Sequence, residues 1–146
     1  MIALVQIKAE ETIYFLVAEP PGRVRLHDSY VLPLSKQEDI DHARYLISLG
    51  QSVFSGSHGA LVVANVVAAK DDVNRNFQDP KFPNWSWQVS EFLGFADYTI
   101  EILDGSPTQL EWFDWSHGGQ ITIGFWNYTV VRELGPVPLY LLVRHS

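Results

Sequence analysis

The chain has 146 residues and a formal net charge of −7 at pH 7, because 17 acidic residues outweigh 10 basic ones. Hydrophobic residues make up 47% of it, which indicates a single globular domain over residues 1–146 rather than a disordered segment. The acidic balance argues against binding to nucleic acid, and the scattered Lys and Arg argue against an anionic membrane surface.

The chain contains no cysteine, which excludes disulfides, zinc–thiolate sites and thiol catalysis. Its first residues lack the basic and long apolar regions of a signal peptide. No apolar run approaches the roughly 20 residues that span a bilayer. We therefore expect a soluble, cytoplasmic protein that needs no cofactor.

Stretches of alternating or β-branched residues predict that most of the chain forms strands. In chain order the predicted strands cover residues 12–18, 23–27, 60–69, 98–103, 120–123, 126–130 and 137–143. Pro138 would confine the last of them to a sheet edge or a strand start. Polar segments rich in Ser, Gly or Pro predict loops at residues 51–59 and 69–84.

One helix has a full set of sequence signals, and it is predicted from about residue 36 to residue 49. Ser35 and Glu38 have the spacing of a capping box at its start, and Gly50 stands where the helix should stop. A second, shorter helix near residues 89–95 has a weaker pattern. The predicted fold class is mainly β (α+β), a single-domain β-sandwich or small barrel of seven to nine strands with one principal helix at 36–49.

Several short motifs together resemble the signatures of one family. They are Ile40-Asp41-His42-Ala43-Arg44-Tyr45-Leu46, Trp85-Ser86-Trp87-Gln88-Val89, Ala96, Ile100-Glu101-Ile102, Asp104-Gly105 and Arg132-Glu133-Leu134. The family is the small domain found at the N-terminus of a calmodulin-binding protein and in standalone bacterial proteins. The resemblance spans roughly residues 14–134 and implies a fold and an organisation, without assigning an activity.

Two positions depart from that family. Its members tend to carry cysteines where this chain has Leu103 and Asn127. The disulfide that the resemblance implies is therefore missing. The link to calmodulin does not carry over either, because the chain has no basic amphipathic helix of the kind that calmodulin binds.

All five tryptophans fall between residues 85 and 126, and two interpretations stay open for them. They are packing residues, with indole N–H groups bonded to backbone carbonyls, or they form a stacking surface for an amphipathic ligand such as a sugar. The resemblance favours packing for Trp85 and Trp87, which would hold the sheet to its helix. The candidate ligand-binding residues are Trp85, Trp112, Asp114, Trp115 and Trp126.

Other polar residues suggest less specific chemistry. The alternate oxygen side chains of Asp72, Asn74 and Asn76 copy part of a calcium loop, but Gly and Glu are missing from the positions that such a loop requires. A solvated loop is favoured there, and no metal site is expected. The candidate catalytic residues are Glu101, Asp114 and His117, although the last two lie in one short run rather than on separate elements.

These features predict a small soluble binding or interaction module, whose partner is an unknown small molecule, a sugar or a protein. The alternative is a small β-barrel enzyme of cyclase, isomerase or hydrolase type with an enclosed aromatic pocket. A binding module requires at least two tryptophans on an open surface. The enzyme requires an enclosed pocket that holds a carboxylate or a histidine with a perturbed pKa.

Overall fold

The computed structural model describes residues 11–22, 28–99 and 104–136. In these ranges six strands form two three-stranded antiparallel sheets, and one principal helix accompanies them. The elements are β1 (Ile13–Ala18), β2 (Ser29–Leu34), α1 (Gln37–Leu49), β3 (Leu61–Ala68), β4 (Trp87–Ala96), α2 (Pro107–Glu111), β5 (Ile121–Ile123) and β6 (Thr129–Gly135). The predicted mainly β class with one principal helix is confirmed.

The first sheet has the strand order β2-β1-β6, and the second has the order β4-β3-β5. In the first sheet, β1 pairs with β2 from Ile13 opposite Leu34 to Ala18 opposite Ser29. Pro33 is tolerated in β2 because this strand lies at the edge, where one side of the backbone needs no ladder partner. In the second sheet, β3 is the central strand, as the valine-rich run at 60–69 predicts.

Strand β4 occupies the segment where a second helix was predicted, and that prediction is wrong. Two register shifts in the pairing of β3 with β4 interrupt the alternation of inward and outward side chains. As a result, Val89 and Phe92 are three positions apart, as on a helix face, although both lie in a strand and both contact the core. Strand β2 and helix α2 had no predicted counterpart.

Helix α1 confirms the predicted helix and its stop at Gly50, whose φ of 55° lies in the region that glycine tolerates best. The predicted capping box at its start is wrong. The N-cap is Lys36, without a side-chain cap bond, and the hydroxyl of Ser35 instead lies 3.0 Å from that of Thr12. A capping box is found at α2, where Gln109 Oε1 accepts from Ser106 N at 3.0 Å.

The core lies between the two sheets and is closed by α1. Tyr30 of β2 packs against Trp87 of β4, with ring centroids 5.4 Å apart. Trp87 is fully buried, and Trp85 beside it is 7% exposed and donates its indole N–H to Ser29 O at 2.7 Å. Both tryptophans therefore pack in the core, and their ring and hydrogen-bond contacts join sheet to sheet rather than sheet to helix. Residues of α1, among them Ile40, close the same core.

The remaining strand predictions have mixed outcomes. The strands at 12–18 and 120–123 are confirmed as β1 and β5, and the loop at 69–84 is confirmed. The strand predicted at 126–130 begins only at Thr129, because Trp126 and Asn127 form a turn in which Asn127 has a φ of 70°. Residues 23–27, 100–103 and 137–143 lie outside the described residues, and Tyr98 and Thr99 are not in a strand. No helix of the described ranges is long and apolar enough to cross a membrane.

Candidate functional site

Two buried asparagines of the 69–84 loop, Asn74 and Asn76, fasten this loop to β2, and we call them the asparagine clasp. Asn74 Oδ1 accepts from Val31 N at 2.8 Å, while its Nδ2 donates to Trp87 O at 2.7 Å. Asn76 Oδ1 accepts from the backbone N and the hydroxyl of Ser29, at 3.0 and 3.2 Å. One side chain of the clasp thus links the edge strands of both sheets.

The clasp gives the alternate spacing of Asp72, Asn74 and Asn76 a structural cause. Side chains two positions apart point the same way along an extended segment, and here the two asparagines point at the N–H groups of β2. Their amide oxygens are buried and already accept hydrogen bonds. Within the described ranges, no three His, Asp or Glu residues are grouped so that they could hold a metal ion.

The short helix α2 is tied to the rest of the protein at both ends. At its start, Asp28 is only 4% exposed and its Oδ2 accepts from Thr108 N and Oγ1 at 3.0 and 2.6 Å. Its Oδ1 accepts from the hydroxyl of Tyr128. At the other end, Glu111 Oε1 accepts from Ser86 Oγ at 2.7 Å. These bonds hold α2 in one position against both sheets.

The hydroxyl of Tyr128 is kept protonated in this arrangement. Burial, followed by the hydrogen bond to Asp28, raises the pKa of Tyr128 above its ordinary value. The carboxylate of Asp28 thus accepts hydrogen bonds from three neutral donors, two on Thr108 and one on Tyr128, and these bonds offset the cost of burying it.

A cleft of about 470 Å³ lies between α2 and the clasp loop, and Trp112 stands at its side; we call it the Trp112 cleft. The volume is within the range of roughly 300–1,000 Å³ that is usual for ligand sites. Trp112 follows α2 directly and is 79% exposed. The residues that line the cleft are Asp28, Asn76, Asp79, Ser106, Thr108, Gln109 and Trp112.

Apart from Trp112, the residues that line this cleft are all polar, and none of them is basic. Asp79 Oδ1 accepts from Lys81 N at 2.8 Å, which fixes its carboxylate at the rim. Gln109 Oε1 accepts from Ser106 N, so the Nε2 donor group of the same amide is the part left for a ligand. The cleft therefore offers a ligand the Asp79 carboxylate, an amide donor and the exposed indole of Trp112.

The turn that follows Trp112 is organised by Asp114. Its Oδ1 accepts from Ser116 N at 2.9 Å, and the hydrogen bonds from Ser116 lower the pKa of Asp114. His117 Nε2 lies 3.6 Å from Asp114 Oδ2, and both side chains are largely exposed. Two of the three catalytic candidates thus meet on an open turn rather than in an enclosed pocket. The third, Glu101, lies outside the described residues.

The structure separates the predicted ligand-binding residues. Trp112 alone lines the cleft, whereas Trp115 packs against the core and donates its indole N–H to Leu110 O at 3.1 Å. Trp126 is 40% exposed but does not line the cleft, and Trp85 is in the core. The other cleft residues were not predicted, although the run Ser106-Pro107-Thr108-Gln109 carries the signals of a helix start.

A second open cleft, of about 550 Å³, lies at the start of α1 between this helix and β4. Glu38 and Asp39 line it, and burial and then the charge of Glu38 raise the pKa of Asp39. Acidic residues in a first helical turn are explained by the helix dipole alone. No tryptophan lines this cleft, so the Trp112 cleft is the stronger candidate.

The motifs that suggested a family take structural positions. Arg44 of α1 forms a bidentate ion pair with Glu133 of β6, with Nε 2.8 Å from Oε1, and His42 Nε2 lies 3.0 Å from Gly59 O. Trp85 and Trp87 join the two sheets, as described above. These contacts connect distant parts of the fold, so the motifs account for its architecture and not for the cleft.

Comparison with known proteins confirms the family resemblance that these motifs indicated. The family model for the BP-74 N-terminal domain matches residues 11–137, which is most of the chain. No curated protein and no solved structure gives a significant match. The chain therefore belongs to the family of BP-74 N-terminal domains.

Proposed function

We propose that the protein is a small binding module that takes its ligand in the Trp112 cleft. The observation that carries this proposal is the position of Trp112, 79% exposed at the end of a helix that is tied down at both ends. An indole in this position adds little to the core, and its surface is available to a partner. Aromatic side chains bury about 150–250 Å² when they are covered, so one ring is a substantial contact.

The anchoring of α2 supports the proposal because it lowers the cost of binding. A side chain on a loose loop loses conformational freedom when a ligand orders it, and that loss weakens binding. Here Asp28 fixes the first turn of α2, Glu111 fixes the last, and Leu110 is buried between them. The backbone that carries Trp112 is therefore held in place before any ligand arrives.

A second exposed tryptophan lies outside the proposed site, and the catalytic candidates lie outside it too. Trp126 is 40% exposed but does not line the cleft, so it is a suitable control for Trp112. The carboxylate and histidine that an enzyme would use lie on an open turn. Such a turn does not exclude water in the way that acid–base catalysis at a perturbed pKa demands.

The proposal is tested by following the indole N–H signals of the protein in ¹H–¹⁵N spectra while four probes are added in turn. The probes are methyl α-glucopyranoside, tetramethylammonium chloride, sodium phosphate and phenol, which represent neutral polar, cationic, anionic and apolar ligands. We expect one probe to shift the Trp112 signal and leave that of buried Trp87 unchanged. Trp112→Ala lacks this indole, so its response is read from the backbone amide signals of Thr108 and Gln109, which line the cleft. These signals should shift in the wild type and in the matched control Trp126→Ala, and they should stay unchanged in Trp112→Ala.

If none of the four probes moves the Trp112 signal at millimolar concentration, the proposal fails. It also fails if the Thr108 and Gln109 amide signals shift in Trp112→Ala as they do in the wild type, because the ligand would then not depend on Trp112.

A further inference from the structure

We infer that the ligand of the Trp112 cleft is a neutral polyhydroxylated ring, which is the chemistry of a sugar; this inference rests on the proposed function. The cleft is lined by two kinds of group. One is the exposed indole of Trp112, and the other is a set of carboxylate, hydroxyl and amide groups. A sugar ring matches both, because it has an apolar face of C–H groups and a rim of hydroxyls.

The charges of the cleft argue against an anionic ligand. Asp28 and Asp79 line it, and none of the described residues that line it is basic. A phosphate, sulfate or carboxylate would meet like charges and find no cation to offset them. Nucleotides and acidic peptides are disfavoured for the same reason.

The hydrogen bonds of Asp28 argue against a cationic ligand as well. Both of its carboxylate oxygens already accept from neutral donors, on Thr108 and Tyr128. The charge of Asp28 remains, but direct contact with a cation is left to Asp79, which is partly exposed and is screened by water and salt. An ammonium group also cannot accept from the Gln109 amide, whereas a ring with several hydroxyl groups can both donate to a carboxylate such as Asp79 and accept from Gln109.

The experiment titrates the complete 146-residue chain with the methyl α-pyranosides of glucose, mannose, galactose and xylose, and separately with tetramethylammonium chloride. At least one glycoside should shift the Trp112 indole signal in a saturable way. Because the ligand is neutral, its affinity should change less than about twofold between low salt and about 0.5 M NaCl. A cation held by Asp79 would lose affinity over that range.

Three variants locate the contact. Trp112→Ala should weaken glycoside binding by at least about tenfold, whereas Trp112→Phe, which keeps a flat ring, should lose clearly less. Trp126→Ala serves as the control and should bind as the wild type does. Because the two Trp112 variants lack the indole, their binding is read from the backbone amide signals of Thr108 and Gln109. Dispersed amide spectra show that each variant has folded.

The outcomes separate this inference from the proposed function. If tetramethylammonium, phosphate or phenol shifts Trp112 and no glycoside does, the sugar inference is overturned while a binding module stands. If no probe shifts Trp112, both fall. If a glycoside binds equally well to Trp112→Ala, the sugar occupies another site and the inference is wrong.

Discussion

Replacing Asn74 by alanine removes both hydrogen bonds by which one side chain links the two sheets. In the wild type its amide accepts from Val31 N and donates to Trp87 O. Val31 and Trp87 are both buried, at 2% and 0% exposure, so water does not replace the lost partner of either backbone group. The substitution therefore leaves one buried donor and one buried acceptor without partners.

The expected magnitude follows from these two groups. An orphaned buried backbone group costs about 1–3 kcal/mol, so the two groups predict that Asn74→Ala lowers the free energy of unfolding by about 2–6 kcal/mol. Domains of this kind are stable by about 5–15 kcal/mol in total, so the loss is a large share. It should lower Tm by roughly 5–15 °C.

Urea denaturation followed by circular dichroism measures this loss. Asn84→Ala is the matched control, because Asn84 is exposed in the same loop and takes part in a backbone bridge to Arg75. The control should stay within about 0.5 kcal/mol of the wild type. Amide exchange adds a local measurement, since Val31 N–H should exchange faster in Asn74→Ala. An unfolding free energy within about 0.5 kcal/mol of the wild type for Asn74→Ala would refute the reasoning.

Three other substitutions have defined outcomes. Asp28→Asn replaces one acceptor oxygen with a donor, so we expect a loss of about 1–3 kcal/mol in urea denaturation; an unchanged midpoint would contradict this. The hydrogen bond from Arg44 lowers the pKa of Glu133 below its ordinary 4.5, so the ion pair stabilises the fold above that pH and is lost as pH falls through the lower folded-state pKa. Glu133→Gln should therefore be less stable than the wild type at pH 7 and equal to it in strong acid, and a constant difference in thermal denaturation would disprove the pairing. Trp112→Ala should change stability by less than about 0.5 kcal/mol, because the ring is largely exposed; a larger loss would show that it packs.

Elements with an uninterrupted pattern could be predicted from the sequence. Helix α1 repeats its buried residues Ile40, Ala43 and Leu46 at helical spacing and ends at a glycine. Strand β3 is a nearly continuous apolar run, which is typical of a central strand, and it has a hydrogen-bonded neighbour on each side. Strand β4 could not be predicted, since its register shifts depend on the pairing with β3 and leave no local signal.

The candidate site could be predicted only in part. Trp112 was identified because an aromatic residue in a polar turn is conspicuous in the sequence. Asp28 lies 80 positions from Thr108 in the chain, so no local sequence pattern predicts the hydrogen bond between them. The spacing of Asn74 and Asn76 is visible in the sequence, but the same spacing suits a calcium ion or a strand edge. Only the tertiary structure shows that the partner is β2.

The asparagine clasp also has a consequence for the order of folding. Its partners on β2 are 43 and 47 positions away in the chain, so its hydrogen bonds require a long loop to close first. We expect them to form after the transition state, with a kinetic φ-value near 0 for Asn74→Ala. The substitution should then speed unfolding and leave the folding rate almost unchanged, and a φ-value near 1 would contradict this. The clasp would thus determine the unfolding rate, and so the lifetime of the folded state, rather than the folding rate.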